Sequence, residues 1–160
     1  MTLPSYPGDL SAFTELLQLS TLTLATVGLD GLPHTAPVYF VAVGNDLPES
    51  RNALQLDFFS DPASQHAQDL AHRPEASVAI YPEGNTWQDI RGLQMQGTVQ
   101  IVPPGVQWEL AWAKYQDKFR YASAFGEVVK VNTLFAFQPR WIRMLDNRRG
   151  FGFKEEWTLP

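Results

Sequence analysis

The sequence predicts a mainly β fold, a six-stranded antiparallel barrel with a few helices. Three observations carry this. Short alternating or apolar stretches recur from Thr21 to Leu145. Tight-turn signals, Asp30-Gly31 and Pro82-Glu83-Gly84-Asn85, separate some of them. Helical patterns fall between hairpins and do not alternate regularly with strands, which disfavours a doubly wound sheet. The 160 residues suit one domain over 1–160, long enough to bury a core without staples.

Each element follows in order. Asp9 caps a short helix whose Leu10, Phe13, Leu16 and Leu17 share one face. Thr21–Val27 alternates as a strand, and Asp30-Gly31 turns it into a second strand, His34–Val43. Pro37 inside that second strand requires an edge or a bulge. Gly44–Asn52 is a polar loop, and Ala53–Ser60 is the third strand. Asp61-Pro62 opens a helix to about His72, because proline favours the first helical position, and Arg73-Pro74 ends it. Ala76–Tyr81 is the fourth strand and Asp89–Val102 a long fifth. Gly92 and Gly97 in the fifth signal a bulge or a close backbone approach. Pro103-Pro104 starts a helix to about Tyr121, with Trp108, Trp112, Tyr115 and Phe119 in one stripe that packs it on the barrel. Val128–Gln138 is the sixth strand and Arg140–Leu145 another, before a turn at Asn147–Gly152.

Composition excludes several chemistries. There is no cysteine, hence no disulfide, thiolate nucleophile, zinc–thiolate or iron–sulfur site. No Gly-x-Ser-x-Gly elbow, phosphate loop or Gly-x-Gly-x-x-Gly occurs. His34, His66 and His72 lack the i, i+4 spacing of a zinc helix. The N-terminus has no basic region of a signal peptide, and no apolar run approaches a membrane span, so a cytoplasmic location is expected. The net charge of −5 argues against general nucleic-acid binding. Residues 1–113 hold 3 basic and 12 acidic side chains, whereas 114–160 hold 9 and 5. Such asymmetry fits an anion site or a solvated surface alike.

Three segments carry possible chemistry. Phe58–His66 runs from a strand into a helix start, where Ser60, Ser64 and His66 suit either a cap or an anion. Arg91-Gly92 offers a cation beside a close backbone, for a phosphate or a ring carbonyl, or else an exposed strand arginine. Pro139–Phe153 is dense in Trp, Arg and Phe, as an interface, a flat-ligand wall or an ordinary basic turn would be.

Taken in order, these motifs resemble the pyridoxamine 5′-phosphate oxidase-like family of flavin-binding split barrels. The matching pieces are Leu24-Ala25-Thr26-Val27 with Asp30-Gly31 and Pro33-His34; Pro37-Val38-Tyr39-Phe40; Phe59-Ser60-x3-Ser64-x-His66-Ala67-x2-Leu70; Val78-Ala79-Ile80; Arg91–Gly97; and Asp146-Asn147-x2-Gly150-Phe151-Gly152. They extend over roughly Leu16 to Trp157. The resemblance implies a homodimer with FMN where the two copies meet. It implies that Pro37, Val38, Tyr39 and Phe40 run beside the isoalloxazine ring, and that Phe59, Ser60, Ser64, Gln65 and His66 hold the phosphate. It places Arg91 and Gly92 near the flavin and Trp141 of a second copy against the ring. The oxidases of this family carry Arg-Lys where this chain has Gln65-His66, which leaves less fixed charge for a phosphate of between one and two negative charges.

The activity expected from the resemblance is that of an FMN-dependent oxidoreductase, with a nicotinamide or another reduced carrier as donor. Pyridoxal phosphate synthesis is not expected, because the residues that hold that substrate's phosphate have no counterpart. The alternative is a flavin or haem binder without turnover, in which His34, His66 or His72 serves as the axial ligand. A third possibility is a structural dimer with an empty pocket.

Overall fold

The computed structural model describes residues 10–44 and 54–159. Asp9, Ala53 and all but Gly44 of the expected loop lie outside the described residues. The chain forms α1 (Leu10–Leu17), β1 (Thr21–Val27), β2 (Pro33–Tyr39), β3 (Val41–Val43), β4 (Gln55–Ser60), α2 (Gln65–His72), β5 (Glu75–Ile80), β6 (Arg91–Val102), α3 (Val106–Lys118), α4 (Gly126–Lys130), β7 (Thr133–Asp146) and β8 (Lys154–Thr158). All strand pairs are antiparallel. The strand order is β2-β1-β5-β6-β7-β4-β3, with β8 added on β7.

This is the expected curled, mainly β barrel, with eight strands in place of six. Two causes account for the difference. Phe40 breaks one bent strand into β2 and β3, and the tail adds β8, which sequence alternation did not announce. The bend matters, because β2 pairs with β1 at one end of the sheet while β3 pairs with β4 at the other. One stretch of chain therefore joins both edges. Phe40 is fully buried, and its N–H donates to the Ser20 carbonyl at 3.3 Å. Pro37 sits on an edge strand, as its missing N–H requires.

Lys118, in the last turn of α3, secures the bend. Its Nζ donates to the carbonyls of Leu19 at 2.7 Å, Phe40 at 2.9 Å and Leu17 at 3.4 Å. It also lies 4.0 Å from the centroid of the Phe40 ring. Burial lowers this amine to a pKa of about 8.

The main core is apolar and fills the barrel: Phe13, Leu24, Phe40, Phe58, Phe137 and Met95 are among its buried side chains. The aromatic stripe of α3 packs as expected. Trp108, Trp112 and Tyr115 meet the Phe59 ring edge-on, with centroids 5.6, 5.8 and 5.2 Å away.

Three element boundaries need correction. Asp61-Pro62 does not open α2: the Asp61 carboxylate accepts the Ala63 N–H at 2.8 Å in a local turn, and Ser64 is the cap. Val128–Val131 is not strand but the end of α4 and its cap, despite its β-branched residues. Arg140–Leu145 is not a separate strand, because β7 runs unbroken from Thr133 to Asp146.

Gly97 marks a real irregularity. Gln96 pairs with Trp141 but Gly97 pairs with Pro139, so Arg140 has no partner across β6. A Cβ on Gly97 would run into the Gln138 carbonyl, which explains why glycine is needed there.

Candidate functional site

The first turn of α2 gathers the residues expected to hold a phosphate. Ser60 ends β4 and Ser64 caps α2, accepting the Ala67 N–H at 3.3 Å. The imidazole of His66 fits between them: Nε2 is 2.6 Å from Ser60 Oγ and 3.1 Å from Ser64 Oγ. Burial lowers the pKa of His66, with Asp69 pulling weakly upward, so the ring is neutral near pH 7.

Behind this cluster stands a hub that the sequence did not single out. Asp69 is buried and accepts from Thr26 Oγ1 at 2.7 Å and from Gln65 Nε2 at 2.9 Å. His34 Nδ1 lies 2.7 Å from the same carboxylate. Burial pushes the Asp69 pKa up, but the hydrogen bonds from Gln65, His34 and Thr26 outweigh it and hold it at about 2. An ionised carboxylate only accepts, so His34 carries its proton on Nδ1 and keeps Nε2 for another partner. Gln65, expected at the phosphate, is turned to this hub. The i, i+4 spacing of Gln65 and Asp69 was the available signal.

The other expected residues lie apart. Phe59 points to the opposite face of β4, into the α3 aromatics, so its ring does not join Ser60. Val38 on β2 and Phe40 just after it are buried in the core, while Pro37 and Tyr39 face outward. His34 and Tyr39 are five residues apart, about 17 Å along a strand, so the Ser60–Ser64–His66 cluster belongs to the His34 end. Gly92 belongs to the other end: a Cβ there would meet the Ile80 carbonyl at 2.7 Å and Tyr81 Cβ at 3.0 Å. Arg91 beside it is ion-paired to Glu15 at 2.9 Å, and its buried Nη1 has no acceptor among the described residues. Arg91 and His66 are therefore not two hands on one phosphate.

Trp141 shares a row with Thr35, Ala25, Ser77 and Gln96 across five neighbouring strands. Four strand spacings put Trp141 about 19 Å along the sheet from Thr35. Trp141 lines an outward groove of about 1070 Å³, and Pro33 at the start of β2 lines the same groove. The Asp146–Gly152 turn is fastened by Arg148 to Asp146 at 2.7 Å and by Asn147 Nδ2 to the Trp87 carbonyl at 2.8 Å.

The hydroxyls of Ser60 and Ser64 and the imidazole of His66 are groups that suit a phosphate such as that of FMN, and the cluster holds no fixed positive charge. Among the described residues, no group of three His, Asp or Glu side chains could hold a metal ion, and no helix is long and apolar enough to cross a membrane.

Comparison with known proteins agrees on the fold. A haem-binding protein from Mycobacterium smegmatis superposes with a TM-score of 0.73 at 19% identity, over 98% of this chain and 60% of that one. This chain thus spans about three-fifths of that relative. The haem storage protein HutZ from Vibrio cholerae gives 0.66 at 19%, over 81% and 89%. A pyridoxamine 5′-phosphate oxidase-related, FMN-binding protein from Nostoc punctiforme gives 0.62 at 19%, over 96% and 90%. At such identities the likeness shows the fold alone. No curated protein matches by sequence. The family described as pyridoxamine 5′-phosphate oxidase matches residues 11–146, most of the sequence. The split-barrel fold and this match together make the chain a member of the pyridoxamine 5′-phosphate oxidase family.

Proposed function

We propose that this protein binds FMN and acts as a flavin-dependent oxidoreductase, as a homodimer. The observation that carries the reading is the convergence of Ser60 Oγ, Ser64 Oγ and His66 Nε2 within 3.1 Å at the start of α2. Bound FMN would supply two-electron redox chemistry. The serine hydroxyls would donate to phosphate oxygens, and His66 would add charge on taking up a proton. Pro37 and Tyr39 would face the ring from an edge strand that the buried Val38 and Phe40 hold in place. The free Nη1 of Arg91 is a donor for a ring carbonyl. Trp141 would come from the second copy, because along its own sheet it lies four strands from Thr35 on β2. Isologous pairing would make two equivalent sites.

The test is an absorbance and fluorescence titration with FMN, beside a Ser64→Ala/His66→Ala double variant. Micromolar binding lost in the variant supports the reading. No binding by the wild type, or a monomer by light scattering at micromolar concentration, refutes it.

A second reading is favoured by one feature. His34 is oriented by the buried Asp69 carboxylate at its Nδ1 and is partly exposed, and a carboxylate on one ring nitrogen makes the other a better metal ligand. His66, by contrast, already has its Nε2 against two serines. If the protein is a haem binder, as two of its structural relatives are described to be, His34 is the axial ligand. A Soret band that His34→Ala abolishes would support this reading.

A further inference from the structure

We infer that the cavity between the β1–β2 turn and α2 binds a primary ammonium group carried on a short aliphatic stem. The inference needs no flavin, and it uses His34 differently from the haem reading. The cavity holds about 300 Å³, at the lower end of small-molecule sites. Gln65, Gln68 and Asp69 line it from one face of α2, at i, i+3 and i+4, and Asp30 and His34 line it from the hairpin. Ser60, Ser64, His66, Tyr39 and Trp141 are not in its walls, so it is separate from the proposed flavin site. No lysine or arginine lines it, and His72 is its remaining ionisable group among the described residues.

The hydrogen bonds decide what kind of ligand fits. Asp69 is ionised and buried, and it draws donors to itself: Gln65 Nε2 at 2.9 Å and His34 Nδ1 at 2.7 Å. Gln68 Nε2 donates to the Ala63 carbonyl at 3.0 Å. Each of these groups commits a nitrogen to the protein. Both amide oxygens and His34 Nε2 are left as acceptors without a partner among the described residues. Asp30 spends Oδ1 on the Leu32 N–H at 3.0 Å and keeps its other oxygen. A Cβ on Gly28 would lie 2.8 Å from Asp30 Oδ1, 3.0 Å from His34 Cε1 and 3.5 Å from Asp69 Oδ1, so two carboxylates and the imidazole converge on one point of the hairpin. Acceptors in that number, beside two negative charges, suit a group that only donates and is itself positive, which is an ammonium. A metal ion fits less well, because no three His, Asp or Glu side chains among the described residues are placed to ligate one. Leu29 lines the same cavity and gives the ligand's carbons an apolar flank.

The test is an NMR titration of the full chain with n-butylamine, beside n-butanol, which has the same stem and no charge. We expect n-butylamine to bind at about 1 mM or tighter and n-butanol at least about tenfold more weakly, with amide shifts confined to residues 28–34 and 65–72. Asp30→Asn keeps an oxygen for the Leu32 N–H and should weaken the amine about tenfold. Gln68→Met, of similar length, should weaken it too, whereas Glu83→Gln, at an exposed carboxylate outside the cavity, should not. Absence of shifts at about 20 mM n-butylamine overturns the inference, as does equal affinity for the alcohol. Shifts centred elsewhere also overturn it, and so does full affinity in both Asp30→Asn and Gln68→Met. Equal losses in Asp30→Asn and Glu83→Gln reduce the effect to bulk charge and overturn it as well.

Discussion

Asp57, midway along β4, is fully buried, and its Oδ2 has no hydrogen-bond partner among the described residues. Gln55 donates to the other oxygen at 2.6 Å. Burial raises the carboxyl pKa from 3.8 to about 6, against a smaller pull downward from Gln55. The unfolded chain therefore releases this proton at lower pH than the native one does. Stability contributed by the neutral carboxyl is fully present below about pH 4 and is lost as pH rises through about 6. Roughly two pKa units at 1.36 kcal/mol each amount to about 3 kcal/mol. Asp57→Asn removes the titration and adds only a pH-independent cost for its amide. The difference in unfolding free energy, variant minus wild type, should thus grow by about 3 kcal/mol between pH 4 and pH 7 and then level off. Urea melts at pH 4, 5, 6, 7 and 8, with equal m-values, measure it directly. A difference that stays constant within about 0.5 kcal/mol across this range refutes the reasoning.

Asp69→Ala strands the buried Thr26 hydroxyl and frees Gln65 and His34, so we expect a loss of about 2–4 kcal/mol in urea melts. Because Asp69 is held at about 2 in the folded protein, its contribution should be present above about pH 4 and vanish as pH falls toward 2, a limb the variant lacks. FMN affinity should rise as pH falls below neutrality in the wild type, as His66 gains charge, and be flatter in His66→Gln; parallel titrations at pH 5.5 and 8 compare them. Gly97→Ala must displace the Gln138 carbonyl, costing about 1–3 kcal/mol in thermal melts. Lys118→Met leaves three carbonyls without their donor, and should lower the melting temperature by several degrees.

Much of this fold is legible where local chemistry leaves one option. Asp30-Gly31 makes a hairpin with Gly31 at φ 80°, Pro37 takes an edge, and Gly97 sits at a bulge. The α2 start is harder, because Asp61-Pro62 and Ser64 are rival signals and only the Asp61 side chain's turn decides between them. Val128 and Val129 read as strand, yet α4 places them in helix; β-propensity there yields to the connection. Of the candidate site, Ser60, Ser64 and His66 come together as read. Arg91, Phe59 and Gln65 do not join them, since each answers to a partner distant in sequence or on another face. The Asp69 hub joins Thr26, 43 residues away, and no local pattern carries such a contact.

The bent strand at Phe40 has a consequence for association. A sheet that loses one edge strand exposes one sticky edge, and two such molecules can only cap each other. Here the loss is never single. If Phe40 leaves the core, β2 can peel from β1 and β3 from β4 together, and one molecule then offers two templates for foreign strands. In polymer language that molecule is bifunctional, able to grow a chain where a monofunctional one would stop. Lys118, by gripping the Phe40 carbonyl, holds the one residue on which both pairings depend.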